Sequence, residues 1–263
     1  VNGTEVVARF EDISETDYYD VFLEDLQGSQ DTFDLQAVGG EVSFDHIIDP
    51  FNYINVQRRD GISMDTLSLD IGLATPINVD KSFIILSVRS LSSTPDIVFV
   101  SAEIFNTTTI RFQKYSTTGT GLAWQVVEGS HFTVQRGEIN TTLGSELTLA
   151  VNLDTAVNLS RSFIIATSRI NSSTSTHHSR AFWTAEFTNS TRVLLTRGVA
   201  GTNSTVSWQV IDWDGASVVN GSIASSKTPT SVNLSTAVNL SQSFIVSSLR
   251  SDTTVSRDIM SSI

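Results

Sequence analysis

Thr75-Pro76-Ile77-Asn78-Val79-Asp80-Lys81-Ser82-Phe83-Ile84-Ile85 decides the reading of this chain, because it occurs three times. It returns as Thr155-Ala156-Val157-Asn158-Leu159-Ser160-Arg161-Ser162-Phe163-Ile164-Ile165, and again as Thr236-Ala237-Val238-Asn239-Leu240-Ser241-Gln242-Ser243-Phe244-Ile245-Val246. The three phenylalanines recur at intervals of 80 and 81 residues, and an arginine follows each by six: Arg89, Arg169 and Arg250. Self-similarity at a fixed period is the signature of a repeat architecture.

Later landmarks keep nearly the same offset. Ala102-Glu103-Ile104-Phe105-Asn106 matches Ala185-Glu186-Phe187-Thr188-Asn189, and Trp124-Gln125-Val126 matches Trp208-Gln209-Val210. Val134-Gln135-Arg136-Gly137 matches Val218-Val219-Asn220-Gly221. Each unit reads as about six short strands, placed in the first at 67–71, 83–89, 97–104, 109–115, 122–128 and 132–139. These runs are rich in Val, Ile, Phe, Thr and Trp and are separated by Gly, Ser, Asn and Asp. Leu122, Trp124 and Val126 alternate with Ala123 and Gln125, the pattern of a half-buried strand. No segment carries a capped helical period. The expected fold is all-β, with tandem immunoglobulin-like β-sandwich repeats of about 80 residues, since such sandwiches place about seven strands in about 100 residues.

The expected organisation is a complete repeat at 65–144, a second at 145–230, and half-repeats at 1–64 and 231–263. In the acidic, divergent N-terminal part, Ala8-Arg9-Phe10-Glu11-Asp12 follows Ala185–Asn189. Val21-Phe22-Leu23 follows Val193–Leu195, Leu35-Gln36-Ala37-Val38 follows Trp208–Ile211, and Val56-Gln57-Arg58 follows Val134–Arg136. A half-repeat cannot bury its apolar face and leaves an open sheet edge, a template for another strand. The C-terminal half is therefore expected to complete a neighbour's N-terminal half. The expected interface is Phe244, Ile245, Val246, Leu249 and Ile259 on one side, with Phe10, Val21, Leu23, Leu35 and Val38 on the other.

The strongest chemical signal is asparagine usage. Of the fourteen asparagines, ten head an Asn-x-Ser/Thr acceptor sequence, where about four would arise by chance under the motif's definition. Besides Asn2 these are Asn106, Asn140, Asn158, Asn171, Asn189, Asn203, Asn220, Asn233 and Asn239. Two pairs sit at matching places in the repeat, Asn106 with Asn189 and Asn158 with Asn239. Modified, they imply a secreted protein with a glycan coat.

Composition bounds the rest. A net charge of −12 and a pI of about 4.6 argue against nucleic acid and anionic membranes, and no apolar run reaches the roughly 18 residues of a membrane span. There is no cysteine. The acidic cluster from Glu11 to Asp25 could suit calcium, but it lacks the spacing of a known calcium loop, so a solvated surface is expected. His177-His178 lies in a Ser/Thr-rich loop without further ligands. A carboxylate pair such as Asp212 and Asp214, flanking Trp213, could serve a sugar hydrolase or a sugar site. Trp208 recurs and reads as core. No catalytic residue, cofactor or metal is expected, and the chain reads as no enzyme.

The phrases Ala156-Val157-Asn158-Leu159-Ser160, Ala185–Thr191, Trp208-Gln209-Val210 and Val134–Gly137 together resemble tandem β-repeat units of large secreted bacterial and archaeal surface proteins. In organisation, the half-repeats resemble fibre and pilus subunits that polymerise by strand donation. The resemblance implies an extracellular, glycosylated, non-enzymatic subunit whose partners are further copies of itself. The rivals are a monomeric adhesin or carbohydrate-binding module closing within one chain, and a phage tail-fibre or glycan-active enzyme fragment.

Overall fold

The computed structural model describes residues 53–90, 99–171, 178–223, 231 and 233–251, together with the backbone of four strands before them. The chain divides into two compact units, Val1–Asn52 and Tyr53–Ile263. In the first, β1 (Asp20–Glu24) pairs with β2 (Gln30–Asp34), and β3 (Gln36–Val38) with β4 (Glu41–Ser43), all antiparallel. Among the described residues the secondary structure is strands and short 3-10 turns, and no helix is long and apolar enough to cross a membrane. The chain is all-β.

The second unit contains two β-sandwich-like bodies of six strands each. The first is built from β5 (Ile54–Met64), β6 (Ser68–Gly72), β7 (Ser82–Ser90), β8 (Ser101–Asn106), β9 (Thr109–Gln113) and β10 (Thr120–Gly129). The second follows with β11 (Phe132–Asn140), β12 (Thr148–Asn152), β13 (Ser162–Ile170), β14 (Thr184–Asn189), β15 (Arg192–Thr196) and β16 (Ser204–Trp213). In chain order the six strands are positions A to F. Both bodies have one sheet ordered A-F-C (β5-β10-β7 and β11-β16-β13) and one ordered B-E-D (β6-β9-β8 and β12-β15-β14).

The registers coincide as well. Gln125 sits opposite Arg58 and Val127 opposite Val56, just as Gln209 sits opposite Arg136 and Ile211 opposite Val134. Each pair of sheets encloses its own core. Met64, Ile84, Ile110, Phe112, Trp124 and Val126 fill the first; Val151, Trp183, Val193, Leu195, Val206 and Val210 fill the second. Burial of each such side chain contributes about 1.5–3 kcal/mol. Trp208 packs against the second core over Gly137, where a Cβ would meet its ring at 2.9 Å.

One strand differs from the sequence reading in an instructive way. Residues 132–140, the expected sixth strand of the first repeat, do not fold back on β10. They pair with β16 of the following body, because β5 and β7 already occupy both edges of β10. A repeat cut at Asp65 thus takes its last edge strand from in front and gives one behind. The expected strand at 97–104 begins at Ser101, and residues 91–98 lie outside the described residues.

Candidate assembly surface

The two bodies meet where the outer face of the β11-β16-β13 sheet lies against the edge strand β7. Phe83, Phe132, Val134, Phe163 and Ile211 form a third buried cluster there. The Phe83 ring stands edge-on to Phe132 (5.3 Å) and to Phe163 (5.8 Å), an arrangement favoured by the ring quadrupole. An edge strand exposes unpaired main-chain groups, and Gln209 closes this one. The Ile84 N–H donates to Gln209 Oε1 (2.8 Å), and Gln209 Nε2 donates to the Ile84 carbonyl (2.9 Å), both buried. Beside it, the Arg136 guanidinium donates to the carbonyls of Val79 and Ser82. Burial lowers the Arg136 pKa, with Asp80 opposing the shift. Further along, the Ala102 N–H donates to Thr167 Oγ1 (3.0 Å), and Arg169 bonds Ser101 and Glu138. Burial pushes the Glu138 pKa up, but the bonds from Arg169 and Ser207 outweigh it and the net shift is downward.

A third copy of this junction is half built. Residues 239–243 reproduce the 3-10 turn that precedes β7: the Ser241 N–H donates to Asn239 Oδ1, as Asp80 and Ser160 do to Asn78 and Asn158. The hydroxyls of Ser82, Ser162 and Ser243 each donate to the matching asparagine carbonyl at 2.7 Å. Phe244 stands edge-on to Phe163 at 5.8 Å, the separation of Phe83 from Phe163. The likeness stops there. Phe83 and Phe163 are 2% and 8% exposed, whereas Phe244 is 55% exposed and Ile245 is 92%. Val246 is exposed and Leu249 half-buried. No strand forms among the described residues of 214–251.

Sheet order explains this. Positions A, B and C never pair with one another; A and C flank F, and B pairs with E. In the sequence, residues 216–223 and 231–251 match positions A, B and C, which in the two complete bodies pair only with E or F. At the other end of the second unit, the outer face of the first body is open. Ile54 is 54% exposed, and Val56, Arg58 and Gln125 are exposed too. Their counterparts Phe132, Val134 and Gln209 are buried, and Arg136 is half-buried. Of the expected interface residues on the N-terminal side, Val21 and Leu23 fall in β1 and Val38 in β3. Phe10, Leu35 and Ile259 lie outside the described residues.

The nine internal sequon asparagines are all exposed. Four of them share one geometry. Asn106, Asn158, Asn189 and Asn239 each accept on Oδ1 from the N–H and the hydroxyl of the residue two ahead, a side-chain-closed turn. Asn106 and Asn189 end the strands before the D–E hairpin; Asn158 and Asn239 open the turn before position C. Asn140 and Asn171 instead converge on Thr205, whose hydroxyl bonds both, and Thr205 is itself the third residue of the Asn203 sequon. Asn220 and Asn233 lie in the strandless segments.

Asp212 and Asp214 are both held by Arg161, with Asp212 at 2.6 Å, and Asp212 also accepts the Asn158 N–H (2.9 Å). His177 lies outside the described residues, and His178 begins a 3-10 turn. Two cations escaped the sequence reading. Lys114 and Arg197 occupy the same place after position E, and both are buried. Lys114 donates to the Met64 and Thr118 carbonyls and to Thr120 Oγ1. Arg197 donates to the carbonyls of Glu146, Arg180, Thr202 and Gly144 at 2.7–3.1 Å, with its guanidinium 4.9 Å from the Trp183 ring centre. Burial lowers the pKa of both. Matched spacing of the two from the landmarks was the available signal. Comparison of the chain with protein families, characterised proteins and solved structures yields no match.

Proposed function

We propose that this chain is the structural subunit of an extracellular, N-glycosylated filament, built from tandem immunoglobulin-like repeats that join head to tail by β-strand complementation. One observation carries the reading. Residues 239–246 repeat the turn and the start of position C with Leu240, Phe244, Ile245 and Val246 exposed, and in the sequence residues 8–38 carry the phrases of positions D, E and F. In the two complete bodies the centre of each sheet is an F or an E strand. Residues 30–38 of a neighbouring copy supply F, in exchange for the hairpin pairings they make within Val1–Asn52, and residues 20–24 supply E. Main-chain bonds to strands on both sides then give affinity, and alternating pockets give register. The contact is heterologous and does not close, which generates an open filament.

The acceptor asparagines support the extracellular setting. Four of them are exposed on side-chain-closed turns and belong to none of the buried clusters. The reading involves no enzymatic activity and no partner besides further copies and the attached glycans.

The direct test is electron microscopy of the purified chain at micromolar concentration, with intact mass in parallel. Filaments and a mass clearly above 28.6 kDa are the expected results. Discrete monomers overturn the assembly, and a mass equal to the bare polypeptide overturns the glycosylation.

A further inference from the structure

Within one chain, Gln209 and Arg136 are cross-strand partners in the second body that grip the main chain of the first. The first body carries the same pair, Gln125 opposite Arg58, in the same register. There the two side chains are exposed, and no hydrogen bond of theirs occurs among the described residues. The groups such a pair grips are the N–H and carbonyl of the isoleucine after the repeated phenylalanine, and the carbonyls of the 3-10 turn before it. In the third copy these belong to Ile245, Leu240 and Ser243. The turn is already formed, the phenylalanine is already stacked at the repeat distance, and Ile245 is almost fully exposed.

We infer that Gln125 and Arg58 of one copy clamp the main chain of Ile245, Leu240 and Ser243 of the preceding copy. This rests on the filament reading and adds a second, separate contact to it. Strand complementation fills the centre of the third body, whereas the clamp joins that completed body to the next one along. The occupant of the open face of the first body is therefore another copy of this chain, presented through residues 239–246. Ile54 and Val56 stand at the positions of Phe132 and Val134, so Phe244 of the preceding copy gains the apolar cover that Phe83 has within the chain. A carboxamide is the one side chain that offers a donor and an acceptor side by side to an edge strand's N–H and C=O, and Arg58 supplies donors that water in a dry contact could not replace.

The test compares the full-length chain with the double variant Gln125→Ala, Arg58→Ala. Both positions are exposed, so the melting temperature of the unassembled chain should not change; Gln209→Ala, at the buried counterpart, should lower it. The expected result is a critical concentration for assembly at least tenfold higher in the double variant. Amide exchange gives the site-specific readout. In a completed third body the Ile245 N–H, like that of Ile84, would face away from position F, so only the clamp would protect it. It should exchange slowly in wild-type filaments and rapidly in filaments of Gln125→Ala. If the double variant assembles at the wild-type concentration and the Ile245 amide stays protected, the clamp is wrong and the filament reading stands. If the wild-type chain forms no filaments, the reading beneath it is wrong.

Discussion

The turn and strand start at the junction between the two bodies and the segment from Asn239 to Val246 are written in nearly the same letters, yet one is a dry contact and the other an open surface. Phe83 touches two rings and is covered; Phe244 touches two rings, Phe163 and Trp213, and more than half of it remains in water. The side chain and its local turn are the same. What differs is whether a sheet stands behind the strand and another lies in front. An apolar phrase becomes core only when the centre strand between its flanking strands is present. In each sheet of this fold that strand is the last of its three along the chain.

Exchanging residues at equivalent places should split the two regions sharply. Phe83→Ala should destabilise the chain by about 3–5 kcal/mol, read by urea unfolding. Phe244→Ala should leave unfolding within about 0.5 kcal/mol of wild type and still abolish pelletable polymer. If Phe244→Ala polymerises normally, the third copy is not an interface.

Arg197→Met should be the next largest effect. It leaves four main-chain carbonyls without their donor in a buried site, at a loss of about 2–4 kcal/mol for the second body. Lys114→Met, with three acceptors, should lose less. Equal or negligible losses would mean that water replaces the cation.

The glycans should separate from the fold. Asn106→Asp, Asn158→Asp and Asn189→Asp keep the turn-closing oxygen and remove the acceptor amide. Each should lower the intact mass by one glycan and change stability by no more than about 0.5 kcal/mol. A larger loss of stability with unchanged mass would make these asparagines turn residues alone.

The repeat and its six strands were legible in the sequence because they depend on spacing and alternation. The pairing of Phe132–Asn140 was not. A six-strand period reads identically wherever it is cut, and only the hydrogen bonds to β16 show which body owns the strand. The clamp escaped for a related reason: Gln125 and Gln209 are the same letter in the same phrase, and burial alone tells them apart. Of the repeated arginines, Arg169 reaches Glu138 at 2.9 Å. Lys114 and Arg197 were passed over because a cation bonded to carbonyls has no partner visible in a sequence.

The smallest effect concerns acid. Bonds from the Leu143 and Thr142 N–H groups and the Thr142 hydroxyl hold the Glu146 pKa down, from 4.5 to about 2. A depressed folded-state pKa stabilises the native state above the unfolded value, and that contribution disappears as pH falls from about 4.5 towards 2. Glu146→Gln should flatten the stability profile of the second body in that window and leave assembly at neutral pH unchanged. An unaltered profile would mean that the loop from Thr142 to Glu146 opens before the carboxylate titrates.

The most direct test of the central claim, that the junction inside the chain recurs between chains, is a cryo-electron microscopy map of the assembled material. The rotation and translation that carry the first body onto the second should, applied again, land on a body built from residues 216–263 of one chain and the N-terminal unit of the next. Applied once more, they should land on the first body of that next chain. A different interface at every third body, or a third body closed by residues of its own chain, would contradict the account.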